Sequence, residues 1–299
     1  MEREVEPKFR IIYYPFMGTS VNTERLILLA RLCYKPIGVD GLYDMVWGTD
    51  SDPVDPGLQH MDDEAVGKFV RGLIRSGHLG ALEHWNTSFA VEGYSRISSQ
   101  QNDRHRLMKT FKDPGVLQAE AAPEGGRAKE ACEAWVNGPE QGSADVSQMQ
   151  QSQRYVREDD FKYVVPPSFH KDPEFLARYR KLQEDIAELQ RYGLNEAKLP
   201  AEDVRFGLSN ATETRFVIST NARQLRHMFN LRCCQRAQWE IRDLFDGLLR
   251  EYKKIAPNIF WRAGASCEDF GYCPEGSASC GRAPTIDQLL DSAGRKRED

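Results

Sequence analysis

TETRFVISTNARQLRHMFNLR, residues 212–232, decides the fold. The first nine residues have strand character. They run into NARQLRHMFNLR, where Leu225, Met228 and Phe229 form one apolar helical face. Arginine recurs around this junction, at Arg205, Arg215, Arg223, Arg226, Arg232 and Arg236. Arg223 and His227 stand four residues apart and share a helix face. A planar guanidinium fork suits a phosphate or a carbonyl group, whereas on a solvated face it makes only surface ion pairs.

Working outward, a further helix is expected from about Ala237 to Ile255, with Pro257 near its end. Residues 172–192 carry Phe175, Leu176, Tyr179, Leu182, Ile186 and Leu189 at amphipathic helical spacing. Residues 22–34 and 62–76 predict helices, the first capped by Asn22 or Thr23. TSFAVEG, 87–93, predicts a short strand, and GHLGALEH, 77–84, a loop. The stretch from Tyr94 to Arg106 reads as a half-exposed helix leading into a site.

Residues 112–148 break the pattern with Asp113-Pro114-Gly115, Pro123, Gly125-Gly126, Pro139 and Gly142, and read as an inserted loop. Within it Ala128, Ala131, Cys132, Trp135 and Val136 share one helical face, closed by Asn137-Gly138. The expectation is a short helix docked through Trp135.

The chain has 299 residues, a formal charge of −5, 40% hydrophobic and 28% charged residues. That composition reads as soluble and globular, and its acidic balance argues against a general nucleic-acid binder. No apolar run approaches a membrane span, and MEREVEPKFR has no signal-like apolar segment. The expected location is cytoplasmic, with most of the seven cysteines as thiols.

QQNDRHR (100–106), SQRY (152–155), STNARQLRHMFNLR (219–232) and RAQWEIRDLF (236–245) occur in that order. Together they resemble the flavin-dependent thymidylate synthase family, whose signature runs Arg-His-Arg, a short connection, then Ser-x-Arg-Tyr. GHLGALEH is similar to the family's Gly-His loop with its Glu-His pair. The resemblance covers roughly residues 10–260. It implies an α+β, single-domain thymidylate-synthase-complementing-protein fold. A central, mostly antiparallel sheet carries helices, and four copies intertwine as a homotetramer with shared sites. It also implies FAD, dUMP, 5,10-methylenetetrahydrofolate and NADPH, with reductive C5-methylation of the uracil to dTMP. A related methylase acting on UMP, and a non-catalytic flavin- or nucleotide-binding homologue, stay open.

The resemblance places Arg232 as the group that polarises the uracil and favours ionisation at N3. It maps Gln101, Arg104, Gln150, Gln151, Ser152, Gln153, Arg154 and Arg205 onto nucleotide contacts, Ser152 and Arg154 nearest the phosphate. Gly80, Glu83, Arg104, His105, Arg106, Asn221, Arg223 and His227 map onto FAD, and His78 onto the folate or nicotinamide side. In an extended chain Ser152 and Arg154 would point the same way.

The sequence departs from the family at residues 107–151, which split the signature. Gln150 stands where an acidic or amide residue is usual, and Gly80 where a hydroxyl is common. The expected domain is 1–262 with 107–151 inserted, followed by a Cys-rich extension, 263–299. In that extension Cys267, Cys273 and Cys280, with Cys233 or Cys234, could supply four thiolates to zinc or an iron–sulfur cluster. The spacing C-x5-C-x6-C lacks the tight C-x2-C knuckle, so the stretch also reads as a loop of free thiols, and no metal is assigned.

Overall fold

The computed structural model describes residues 4–47, 61–102 and 146–292. In chain order the main elements are β1 (Lys8–Tyr13), a 3-10 helix (Thr23–Cys33), α1 (Val39–Trp47) and α2 (Asp63–Arg75). A second 3-10 helix (Leu79–His84), β2 (Asn86–Ser95), α3 (Arg96–Asn102) and β3 (Val146–Gln150) follow. Then come α4 (Pro173–Arg191), β4 (Glu213–Asn221), α5 (Ala222–Arg232), α6 (Trp239–Ile255), α7 (Ser266–Phe270) and α8 (Ile286–Ser292). The helix expected on Trp135 lies outside the described residues. Among the described residues no helix is long and apolar enough to cross a membrane.

The described residues fall into two compact units. Residues 4–12, 88–102 and 147–219 make one, and 13–47, 61–87, 146 and 220–292 the other. The first unit is built on a small open antiparallel sheet in the order β1-β2-β4-β3. The pleat explains its sequence: Phe89 and Val91 on β2, and Thr214, Phe216 and Ile218 on β4, are buried at every second position. Gly93 ends this alternation at φ +78, with the Glu6 carbonyl where a Cβ would stand. Only glycine fits there, on both counts.

Helix α4 starts where Asp172 accepts hydrogen bonds from the Glu174 and Phe175 amides, with Pro173 in the first turn. Its buried face follows its apolar spacing only in part, with Leu176 buried and Tyr179 and Ile186 packed against Phe161, Tyr163 and Ala187. Leu176, Gln183, Ala187 and Gln190 point inward, while Phe175, Leu182 and Leu189 are exposed. The two glutamines tolerate burial because each is hydrogen bonded. Ser209 donates to Gln183 Oε1 at 2.9 Å, and Gln190 Nε2 donates to the Val204 carbonyl at 2.9 Å.

The second unit is helical. Trp85, Phe229, Tyr252 and Phe260 form a buried cluster of edge-to-face and tilted pairs. Burying one such ring removes roughly 200 Å² from water, about 5 kcal/mol. An exposed pair such as Lys254–Glu251 contributes about 0–1 kcal/mol, so the aromatic core holds this unit. The 22–34 helix forms as a 3-10 helix, with Asn22 accepting from the Glu24 amide. Two buried charges on it have jobs that its periodicity does not reveal. Glu24 accepts from the Asn258 backbone (2.6 Å), the Asn258 side chain (2.7 Å) and the Ile259 backbone (3.0 Å). Arg25 donates to the carbonyls of Met45, Val46 and Met61, two of them orphans at the end of α1.

Candidate functional site

In the sheet unit, α3 carries Gln101 and ends at Asn102, so Arg104, His105 and Arg106 lie outside the described residues. The chain returns on β3. Gln150 Nε2 donates to Ser99 Oγ and to Thr214 Oγ1, each at 2.8 Å, so its amide nitrogen is committed to structure. The Gln151 amide donates to the Arg215 carbonyl at 2.8 Å, and its side chain donates to Glu158 at 3.2 Å. Burial pushes the Glu158 carboxyl up; the bond from Gln151 opposes that.

Beyond β3 the chain turns instead of staying extended. The Tyr155 and Val156 amides donate to the Ser152 carbonyl at 3.2 and 3.0 Å, and Ser152 Oγ accepts from the Arg154 amide at 3.3 Å. The expectation that Ser152 and Arg154 share a side through strand geometry is thus corrected. A hydroxyl that closes a local turn competes with the extended ladder. Arg154 is exposed and lies over the Tyr155 ring, 5.3 Å from its centroid; Gln153 is half-buried in the same turn. Arg205 stands on a separate turn, its Nε bonded to the Glu202 carbonyl. A groove of about 720 Å³ over the sheet is lined by Lys8, Arg10, Glu92, Gln150, Gln151 and Arg215. Among the described residues, Gln150 and Gln151 are the only anticipated site residues on its wall.

In the helical unit, the loop expected at 77–84 is largely a 3-10 helix over Leu79–His84. His78 precedes it and is exposed, as are Gly80 and Glu83. A Cβ on Gly80 would meet nothing within 4 Å, so the backbone there faces open space. This turn is fastened to the start of α5. The Ala222 amide donates to the Trp85 carbonyl at 2.8 Å, and the Arg223 guanidinium pairs with Glu83. Arg223 Nε is buried with no hydrogen-bond partner among the described residues.

Asn221 caps α5 by accepting from the Gln224 amide at 2.9 Å. His227 is one turn beyond Arg223 and is buried, and Arg232 ends the helix half-buried. Arg226, on the same helix, is an anchor. It donates to the Ile259 and Trp261 carbonyls at 2.8 and 2.9 Å and pairs with Asp269, both side chains 10% exposed or less. Asp269, Glu24 and Arg25 carry no motif; each became visible only with its distant partners in place.

The cysteines divide. Cys233 is buried, hydrogen bonds to Asp246, and its thiol is pushed far up, first by burial and then by that carboxylate. Cys234, Cys267, Cys273 and Cys280 instead line one small cavity. Among the described residues no three His, Cys, Asp or Glu side chains are preset to hold a metal ion.

Comparison with known proteins supplies the family. The profile described as "Thymidylate synthase complementing protein" matches residues 18–112 and 144–258. The flavin-dependent thymidylate synthase of Clostridium tetani (strain Massachusetts / E88) is 33% identical over 284 residues, 90% of this chain and 92% of that protein. That of Geobacter sulfurreducens (strain ATCC 51573 / DSM 12127 / PCA) is 35% identical over 265 residues, 88% and 90% of the two chains. The archaeal protein of the same name from Pyrococcus furiosus (strain ATCC 43587 / DSM 3638 / JCM 8422 / Vc1) is 31% identical over 237 residues, 77% and 79%. With most of its length matched at such identities, and with an α+β fold, this chain belongs to the thymidylate synthase complementing protein family.

Proposed function

We propose that this protein is a flavin-dependent thymidylate synthase. It converts dUMP to dTMP by reductive C5-methylation, with 5,10-methylenetetrahydrofolate as one-carbon donor and NADPH as reductant through FAD. The observation that carries this reading is the family match on both sides of the split signature. Residues 18–112 include Arg104, His105 and Arg106, and residues 144–258 include Ser152, Arg154, Arg223 and Arg232.

The residues of the helical unit fit a phosphate-bearing cofactor on one observation. Arg223 has a buried Nε donor without a partner among the described residues, and its guanidinium pairs with Glu83 on the 3-10 turn that also carries Gly80. A buried donor left unpaired costs about 1–3 kcal/mol, which an anionic ligand would recover. Gly80, Glu83, Asn221, Arg223 and His227 would hold FAD, with Arg104, His105 and Arg106. When bound, FAD supplies hydride chemistry between NADPH and the one-carbon unit.

Gln101, Arg104, Gln150, Gln151, Ser152, Gln153, Arg154 and Arg205 hold the nucleotide in this reading. The Ser152 turn leaves the exposed Arg154 fork available to a phosphate. Arg232 sets a guanidinium beside the uracil carbonyls and stabilises the anion left when N3 loses its proton. His78 serves the folate or nicotinamide side. Residues 1–262 form the catalytic domain around the 107–151 insertion, with 263–299 as an extension. The exposed stripe Phe175, Leu182 and Leu189, one heptad apart on α4, supports a homotetramer that covers it.

The test is dTMP formation from dUMP, methylenetetrahydrofolate and NADPH, with UMP run in parallel. Arg232→Ala should lower kcat by about 10²–10³-fold, as loss of a preorganised electrostatic donor does, while the yellow flavin stays bound. Purified protein that binds no flavin and makes no dTMP would refute the reading. Unchanged turnover in Arg232→Ala would remove that residue's role.

A further inference from the structure

We infer that the cavity lined by Cys234, Cys267, Cys273 and Cys280 is a tetrahedral four-thiolate site for a single Zn²⁺ ion. It does not depend on the proposed activity. Four of the chain's seven cysteines line this one cavity, although they come from separate stretches of chain.

Specific contacts bring those stretches together. Cys234 sits just past α5, where the Cys233 amide donates to the Phe229 carbonyl at 3.0 Å and the Ala237 amide to the Cys234 carbonyl at 2.9 Å. Cys267 lies on α7, which is fastened to α5 by the Asp269–Arg226 pair and by Ser266 Oγ donating to the Asn230 carbonyl at 3.1 Å. Gly271 then turns the chain at φ +81, its amide donating to the Cys267 carbonyl at 3.1 Å. The returning Cys273 donates its amide to the Pro284 carbonyl at 2.8 Å, and Arg282 pairs with Glu268 to fold the Cys280 loop onto α7.

Size and charge choose the ion. The cavity measures about 10 Å³, room for one small sphere. Four thiolates around Zn²⁺ carry two negative charges in excess, and the lining sets Arg236 and Arg282 against one carboxylate, Glu275, which offsets part of that excess. Ligation forms four Zn–S bonds of about 2.3 Å, releases one proton from each thiol to solvent, and changes no oxidation state. The thiols line the cavity without yet forming a cage, so closure takes side-chain rotation. The ion would then clamp the end of α5 that carries Arg232 to the C-terminal extension.

Full-length protein is purified anaerobically, reconstituted with Zn²⁺, dialysed and assayed by mass spectrometry of the metal. About one equivalent per chain is expected, and Co²⁺ in its place should show thiolate charge-transfer and tetrahedral ligand-field bands. Cys273→Ser and the more exposed Cys280→Ser should each weaken Zn²⁺ affinity at least about tenfold, with circular dichroism reporting whether they fold. Cys33→Ser, on the first 3-10 helix and outside the cavity lining, should keep the full equivalent. Less than about a tenth of an equivalent in wild-type protein overturns the proposal. So does a disulfide joining any two of the four thiols, a brown iron–sulfur chromophore, or full Zn²⁺ retention in a folded Cys280→Ser variant.

Discussion

Replacing Arg226 by Met removes a cation from a fully enclosed position while keeping a similar apolar stem. Three acceptors then lose their donor: the Ile259 carbonyl, the Trp261 carbonyl and the Asp269 carboxylate. Arg226 and Asp269 are only 5% and 10% exposed, so water screens the loss little. Breaking a buried pair of this kind costs about 3–5 kcal/mol near pH 7. Burial already holds the Asp269 carboxyl above the usual carboxylate range, and Arg226 is the main influence pulling it down. Without Arg226 the carboxyl rises further in the folded state.

A carboxyl raised on folding favours the folded state most below its unfolded value, about 3.9, and that contribution is lost as pH rises through the folded value. The variant's window of loss reaches to higher pH than the wild type's. Its deficit should therefore shrink on acidification, by up to about 1.4 kcal/mol per pH unit within the extra window. Trp85, Trp239 and Trp261 all lie in the helical unit, so tryptophan fluorescence during urea unfolding follows the right part of the molecule. Asp269→Asn and the double variant Arg226→Met/Asp269→Asn serve as the control pair, because the difference between them carries no titration of that carboxyl. An Arg226→Met deficit under about 1 kcal/mol, or one equal near pH 5 and pH 7, would refute the reasoning.

Two further outcomes are expected. Gly93→Ala forces a left-handed alanine whose Cβ would overlap the Glu6 carbonyl oxygen and lie 2.8 Å from Pro7 Cα. Strain and overlap together should cost at least about 3 kcal/mol, seen as a drop in Tm of at least about 6 °C, and a shift within about 2 °C would contradict the close approach. Iodoacetamide at mildly alkaline pH should label the exposed Cys33 in native protein and leave Cys233 unlabelled until denaturation. Rapid native labelling of Cys233 would contradict its burial against Asp246.

The strand-to-helix junction at 212–232 was legible because both periods are local. Phe216 and Ile218 alternate, and Leu225, Met228 and Phe229 recur on one helical face. The order of the motif segments was equally legible, and it carried the family assignment. The turn at Ser152 was not, because whether a hydroxyl closes on its own backbone depends on where β3 lets the chain go. Nor was the inward face of α4, where Gln183 and Gln190 displaced Leu182 and Leu189 from the interior. Polar side chains enter a core only when partners such as Ser209 and the Val204 carbonyl satisfy them, and periodicity does not encode partners.

By itself the sequence determined the strand-to-helix junction, the long helices, the family and the set of candidate ligand-binding residues. Tertiary structure alone decided which charges became scaffolding, Glu24, Arg25, Arg226 and Asp269 among them. It also decided that Cys234, and not Cys233, joins the three cysteines of the extension. The physical reason is that a charge or thiol has no fixed role until burial removes its water and a distant segment supplies its partner.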